Sequence, residues 1–209
     1  MSLSQRLNLG LTQPQLDFVD IDDERDTPLF LDPYFIGLRQ DRWSFEARRS
    51  IRSFFQAFLD LIKAGKEAEA ALLFNHLHEP KETGLGLARR RLHGHGVGEG
   101  DAERIFESLK SSKAVTTGLV EDLEDCRIFV HGIDKDKTSD MTTNIIRGQL
   151  TKYTQDQCRL HGIPMVQAPS GFIWDITRKV WSAEMVASLL VGGRKLLLVP
   201  MACFQNEKG

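Results

Sequence analysis

The residues with the densest chemical potential lie in the stretch 126–144, CRIFVHGIDKDKTSDMTTN. A short apolar run, Ile128, Phe129 and Val130, is followed by Asp134, Lys135, Asp136, Lys137 and Asp140. Carboxylates at this density repel one another, and a divalent cation is one way to offset the repulsion. Hard cations such as Mg²⁺ or Mn²⁺ take several oxygen ligands, and such clusters position water and the leaving oxygen in phosphodiester hydrolysis. On that reading Asp134, Asp136 and Asp140 are metal ligands and Asp140, Asp134 and Lys137 form the catalytic set. The spacing does not fit an EF-hand, because the sixth position from Asp134 is Ser139 and the twelfth is Ile145. The competing account is structural: Ser139 or Asp140 caps a helix, and Asp134 and Asp136 sit in a solvated turn.

Further oxygen donors come from elsewhere in the chain. Asp32 follows the segment TPLFL and completes the cluster if it ends a strand beside 126–131; otherwise Asp32-Pro33 starts a turn. Glu79-Pro80-Lys81 has the acid-x-lysine spacing of restriction-endonuclease-like nucleases. It is too short to be specific and follows a helix where a strand is required, so Glu79 counts only as a possible carboxylate donor.

Arg89, Arg90 and Arg91 precede HGHGVGEG, which leads into a helix. Glycines let backbone approach an anion, helix N-termini attract one, and arginines add charge-assisted contacts to phosphate. Glu99 and Asp101 at the same helix start oppose this. The loop matches neither the P-loop nor the dinucleotide pattern. A phosphate or nucleic-acid contact and a plain surface loop both fit. The histidine pairs His76/His78 and His93/His95 are poor chelators, the first because it lies near a helix end and the second for want of a third ligand. No GxSxG elbow supports a serine hydrolase.

The elements that must position these groups follow from periodicity. Ile51, Phe54, Phe55, Phe58, Leu59 and Ile62 predict a helix over 43–64, stopped at Gly65. Further helices are predicted over 66–77, 101–112 and 139–160, with Gly148 marking a close packing contact or a bend. Strands are predicted over 15–21, 28–31, 126–131, 164–168, 172–176, 179–181 and 195–199, with a short helix over 183–190 and a turn at Gly192-Gly193. The expected class is α+β, a mixed sheet flanked by helices, with a helical N-terminal half and a β-rich C-terminal tail. One domain over 1–209 is expected, divisible into a mostly helical 1–114 and an α/β 115–209.

The chain has 209 residues, 41% of them hydrophobic and 27% charged, and a net charge of −2. That excludes a generally cationic nucleic-acid coat but leaves room for a local basic groove. Cys126, Cys158 and Cys203 are odd in number and widely spaced, which argues against a disulfide framework or cysteine zinc site; Cys126 and Cys158 read as buried thiols. The first residues lack a sustained apolar stretch, and no run approaches about 18 apolar residues, so a cytoplasmic protein is expected.

Three segments together, DFVDI with DTPLFLDP at 17–33, GIDKDKTSDMTTNIIR at 132–147 and KLLLVP at 195–200, resemble a group of uncharacterised bacterial proteins associated with mobile and defence genes. The resemblance implies a bacterial, cytoplasmic protein of a defence system and carries no established activity. The group's pattern continues with Lys after LLLVP, where this chain has Met201. The leading expectation is a metal-dependent phosphodiesterase or nuclease, with Lys137 and Arg89–Arg91 holding phosphate. The alternatives are a non-enzymatic subunit docking on a neighbour-encoded protein, and a nucleotide- or phosphate-sensing domain.

Overall fold

In a computed structural model the described residues are 1–22, 27–78, 80–85, 99–116, 123, 125, 130 and 133–204. Their helices are α1 (Leu3–Arg6), α2 (Pro33–Leu38), α3 (Arg42–Lys63), α4 (Glu67–Phe74), α5 (Glu99–Ser111), α6 (Lys113–Thr116), α7 (Lys135–Ile145) and α8 (Arg147–Leu160). Among the described residues strands follow only after α8: β1 (Val166–Pro169), β2 (Ile173–Asp175), β3 (Val180–Ser182), β4 (Met185–Val191) and β5 (Arg194–Leu196). The α+β class and the strand-rich tail are as expected. The sheets are small and antiparallel rather than one mixed sheet: β1-β4-β5, with Val166 opposite Ser188 and Leu190 opposite Lys195, and β2-β3, with Trp174 opposite Trp181.

Helix α3 is the central beam. Asp41 caps it, accepting from Ser44 N at 2.9 Å, and Gly65 closes its far end with φ +71°. Its apolar face (Ile51, Phe54, Phe55, Phe58) is buried against Phe74 of α4, Phe106 of α5 and Trp174 of β2, largely through edge-on ring contacts 5.1–6.3 Å apart. A second core lies around Leu3, Phe18, Ile21, Cys158, Leu189 and Leu198. The segment 196–199 separates the two. Leu196 and Leu198 enter the second core while Leu197 and Val199 enter the first. Period-two alternation with both faces buried is why this stretch is continuously apolar.

Five expected elements are corrected; the strand expected over 28–31 is one, since the segment carries only an isolated bridge from Thr27 to Leu85. The helix expected over 139–160 starts earlier and is two helices, broken at Ile146 (φ −93°, ψ 15°). Thr138, Thr142 and Thr143 each donate a side-chain hydroxyl to the carbonyl four residues back, at 2.7–2.8 Å, which satisfies them in the core and weakens the helix they stand in. The helix expected over 183–190 is instead strand β4, which begins at Met185. Gly192 and Gly193 both have positive φ, the tight hairpin turn that joins β4 to β5, and pairing with β1 and β5 overrides the local helical pattern. Residues 15–21 form a 3₁₀ turn (Gln13–Gln15) and one bridge from Phe18 to Pro200 instead of a strand. The 195–199 strand is laddered only over Arg194–Leu196; Leu197 and Leu198 donate instead to Glu82 O and Thr154 Oγ1, both at 2.9 Å. The strand expected over 126–131 lies outside the described residues except for Val130, which is buried. Cys158 and Cys203 are buried thiols, and burial pushes Cys158 up to about 11; Cys126 lies outside the described residues.

Gly148 is a close contact, as its place in a helix suggested: a Cβ there would stand 3.0 Å from Ile173 Cγ2 on β2. Ala would gain about 1 kcal/mol of helix propensity but would push on a stiff β-branched neighbour at a cost of about 1–3 kcal/mol. Gly148→Ala is therefore expected to lower stability by about 1 kcal/mol in urea unfolding; an increase would show that β2 gives way.

Candidate functional site

The acidic turn is used first as structure. Asp134, not Ser139 or Asp140, caps α7, accepting from Lys137 N at 2.9 Å. Asp136 lies in the exposed first turn, where desolvation and then the negative charge of Asp134 hold its carboxyl above the usual range, partly offset by Lys137. Lys135 Nζ sits 5.1 Å over the Phe30 ring. Ser139 is buried and accepts from Leu31 N at 2.9 Å, so the arm before Asp32 does lie against α7. Asp32 itself caps α2 through Tyr34 N at 3.0 Å, with Pro33 in the first turn. Among the described residues no three His, Cys, Asp or Glu side chains come together to hold a metal ion. Glu79 and Arg89–Arg91, together with His93 and His95, lie outside the described residues.

The chemistry-bearing cleft is at the other end of α7. It encloses about 340 Å³ and is lined by His76, His78, Lys81, Glu82, Asn144, Arg147, Gly171 and Phe172. Its floor is a buried charge. Arg147, whose side chain is 7% exposed, starts α8 at the Ile146 break and donates Nη1 to Glu82 Oε1 at 2.7 Å and Nη2 to Asn144 Oδ1 at 2.9 Å. Lys195 Nζ approaches Glu82 Oε1 at 3.5 Å while donating to the carbonyls of Pro169 and Ser170, each at 2.9 Å. Burial pushes the Glu82 carboxyl up, but Arg147 and Lys195 outweigh it and hold Glu82 below the usual carboxylate range. Two cations thus share one carboxylate, and the floor keeps a net positive field.

The wall carries two imidazoles. Helix α4 ends at Phe74, and residues 75–78 turn out of it with His76 half-buried and His78 exposed. The His76 ring stacks on Phe172 (centroids 3.6 Å apart, planes 17° apart) and meets the edge of Trp181 at 5.6 Å. The two imidazoles are 6.5 Å apart. Asn144 Nδ2 donates to His78 O at 2.6 Å and to Asp140 O at 2.9 Å, so the turn bearing both histidines is pinned to the residue that also holds Arg147. Desolvation, then the neighbouring His78, holds His76 below the usual imidazole range. Gly171 (φ +73°) is required here, because a Cβ would meet Arg147 Nη1 at 3.1 Å.

Spacing arguments missed this site. His76 and His78 were legible as a pair but were weighed only as chelators. Lys81 was singled out only as part of the acid-x-lysine tripeptide. Asn144 and Arg147 sit among apolar helix positions, and nothing in one sequence pairs them with Glu82, 65 residues from Arg147.

Glu82→Gln would leave two cations facing each other in the floor and is expected to cost about 3 kcal/mol at neutral pH. A depressed folded-state value means that this contribution is present above the ordinary carboxylate range and is lost as pH falls through the folded value. Urea unfolding across pH should therefore show the gap between wild type and Glu82→Gln closing in acid; a gap independent of pH would assign the loss to packing.

No curated protein and no solved structure matches the chain. Among the described residues no helix is long and apolar enough to cross a membrane. A family profile described as a domain of unknown function, DUF8370, matches residues 8–208, nearly the whole length, and the chain belongs to that family.

Proposed function

We propose that the chain is a phosphodiesterase of nuclease type whose reacting phosphate sits in the His76–His78 cleft. The observation that carries this reading is the pair of imidazoles 6.5 Å apart on one wall, above a floor of Arg147 and Glu82, with Lys195 paired to the same carboxylate. A phosphoryl group seated across the cleft faces both rings, whose centres are 6.5 Å apart, one on the attacking and one on the leaving side. His76, held neutral by its surroundings, accepts a proton from the attacking hydroxyl or water. The oxygen bonds to phosphorus, His78 donates a proton to the leaving oxygen, and the phosphorus–oxygen bond to that group breaks. Lys81 and the net positive floor offset charge that develops on the phosphoryl oxygens.

Asp134, Asp136 and Asp140 enter this proposal at a distance. Asp134 caps one end of α7, and Asn144 faces the cleft from the other. Ten residues of helix separate them by about 15 Å. A Mg²⁺ or Mn²⁺ ion at the acidic turn, with Lys137 beside it, would relieve the raised Asp136 carboxyl, but it would be a second site and not the cleft. The proposed setting, bacterial defence, is supported by the likeness of 17–33, 132–147 and 195–200 to defence-associated proteins.

Hydrolysis of a chromogenic phosphodiester and of labelled RNA and DNA, in chelator and with added Mn²⁺, tests the reading. His76→Ala and His78→Ala are each expected to lower the rate about 10²–10⁴-fold while unfolding stays cooperative. Since burial disfavours His76 protonation, the acid limb of kcat/KM should lie below the usual imidazole range. Activity lost in Asp134→Asn or Asp140→Asn, restored only by Mn²⁺ and indifferent to both histidine variants, would move the chemistry to the carboxylates. No turnover of any phosphodiester would sink the enzyme reading.

A further inference from the structure

We infer that the outer face of α3 binds the backbone of single-stranded nucleic acid and leads it toward the histidine cleft; the second clause rests on the proposed function, the first does not. The chain as a whole carries a net charge of −2, yet this face is strongly basic. Arg42, Phe45, Arg49 and Arg52 recur at helical spacing and are all exposed, Phe45 at 61%, and Lys63 ends the same helix. Exposed Lys152 of α8 lies close enough to Glu46 to act on its carboxyl together with Arg42 and Arg49, and Lys179 of the β2–β3 turn reaches Asp60 at 3.3 Å. Glu46 and Asp60 on the stripe pair with Arg42 at 3.0 Å and with Lys179, and Asp41 caps the helix, so the cations still outnumber the carboxylates.

Three features choose the partner. The helix has 22 residues, about 33 Å of continuous surface, enough for several successive phosphates. An exposed aromatic ring between arginines suits stacking of an unpaired base, which a duplex does not offer. An anionic membrane would need an apolar helix face to insert, and the apolar face of α3 is already buried against Phe74, Phe106 and Trp174. The route to the cleft is short. Lys179, beside Asp60 on the stripe, is two residues from Trp181, whose ring meets His76. In extended chain that is about 7 Å.

Fluorescence anisotropy with labelled oligothymidylate and oligouridylate long enough to span α3 tests this, with matched duplex and phosphatidylserine vesicles as competitors. Single-strand binding that weakens steeply with salt is expected, with a loss of about tenfold or more in Arg49→Glu/Lys152→Glu. Phe45→Ala should weaken single-strand binding about tenfold while leaving the weaker duplex binding unchanged. Unchanged affinity in the charge-reversal variant, or tighter binding to duplex or vesicles than to single strands, overturns the inference. Single-strand binding with no cleavage by the wild-type chain would overturn the enzyme reading and leave this one standing.

Discussion

One buried cation organises this molecule. Arg147 stands at the break between α7 and α8, almost wholly removed from water, with a fork of N–H donors to satisfy. It must find acceptors, and the chain supplies them from separate segments: Glu82 from the loop after α4 and Asn144 from the last turn of α7. The Glu82 backbone then accepts Leu197 N at 2.9 Å, and two residues on Gly84 O accepts Thr27 N at the same distance. Lys195 bridges Glu82 to the carbonyls of Pro169 and Ser170. Removing the charge would release the loop, the arm, the strand and the β1–β2 connection together. The glycine at 171 belongs to the same constraint, since its absent side chain leaves the guanidinium its room.

The aromatic core explains how that polar knot is coupled to the cleft wall. Phe54 meets Trp174 and Trp181 at 5.1 and 5.7 Å, the two tryptophans face each other across the β2–β3 pair, and Trp181 meets His76. Each indole N–H also has a partner, Ser53 Oγ for Trp174 and Leu73 O for Trp181. A continuous run of rings therefore extends from the middle of α3 to a half-exposed imidazole. Rigid packing of this kind limits the rotamers open to His76, the condition a positioned base or a stacked ligand needs.

Much of the scaffold was readable because its signals were local. The helix over Arg42–Lys63 shows in the spacing of Ile51, Phe54, Phe55 and Phe58, and Asp41 and Gly65 mark its ends. The strand at 185–191 was not read, although Gly192-Gly193 between two apolar runs is a hairpin signal; the preceding residues carry Ala, Glu and Met that favour helix until β1 and β5 pair with them. The candidate site was legible only in fragments. Acidic residues at 134–140 draw the eye because like charges cluster in sequence, yet Asp134 is occupied as a cap. The cleft depends on contacts such as Arg147 to Glu82 and Asn144 to His78 O, across 65 and 66 residues, that no spacing rule in one chain can report.

Charge placement follows from the same architecture. Helix α3 must bury a wide apolar face, so its remaining positions are necessarily solvent-facing, and what fills them is open to selection for solubility or for a partner. Solubility alone favours mixed signs. The stripe from Arg42 to Lys63 departs from that mixture, whereas the acidic residues gather at the opposite kind of place, at helix starts such as Asp32, Asp41 and Asp134, where backbone N–H groups hold them. A near-neutral chain thus places several carboxylates in helix caps and several arginines on one open helix face. Such sorting lowers the electrostatic cost of the fold, and it leaves an outward positive field over the stripe that net charge alone conceals.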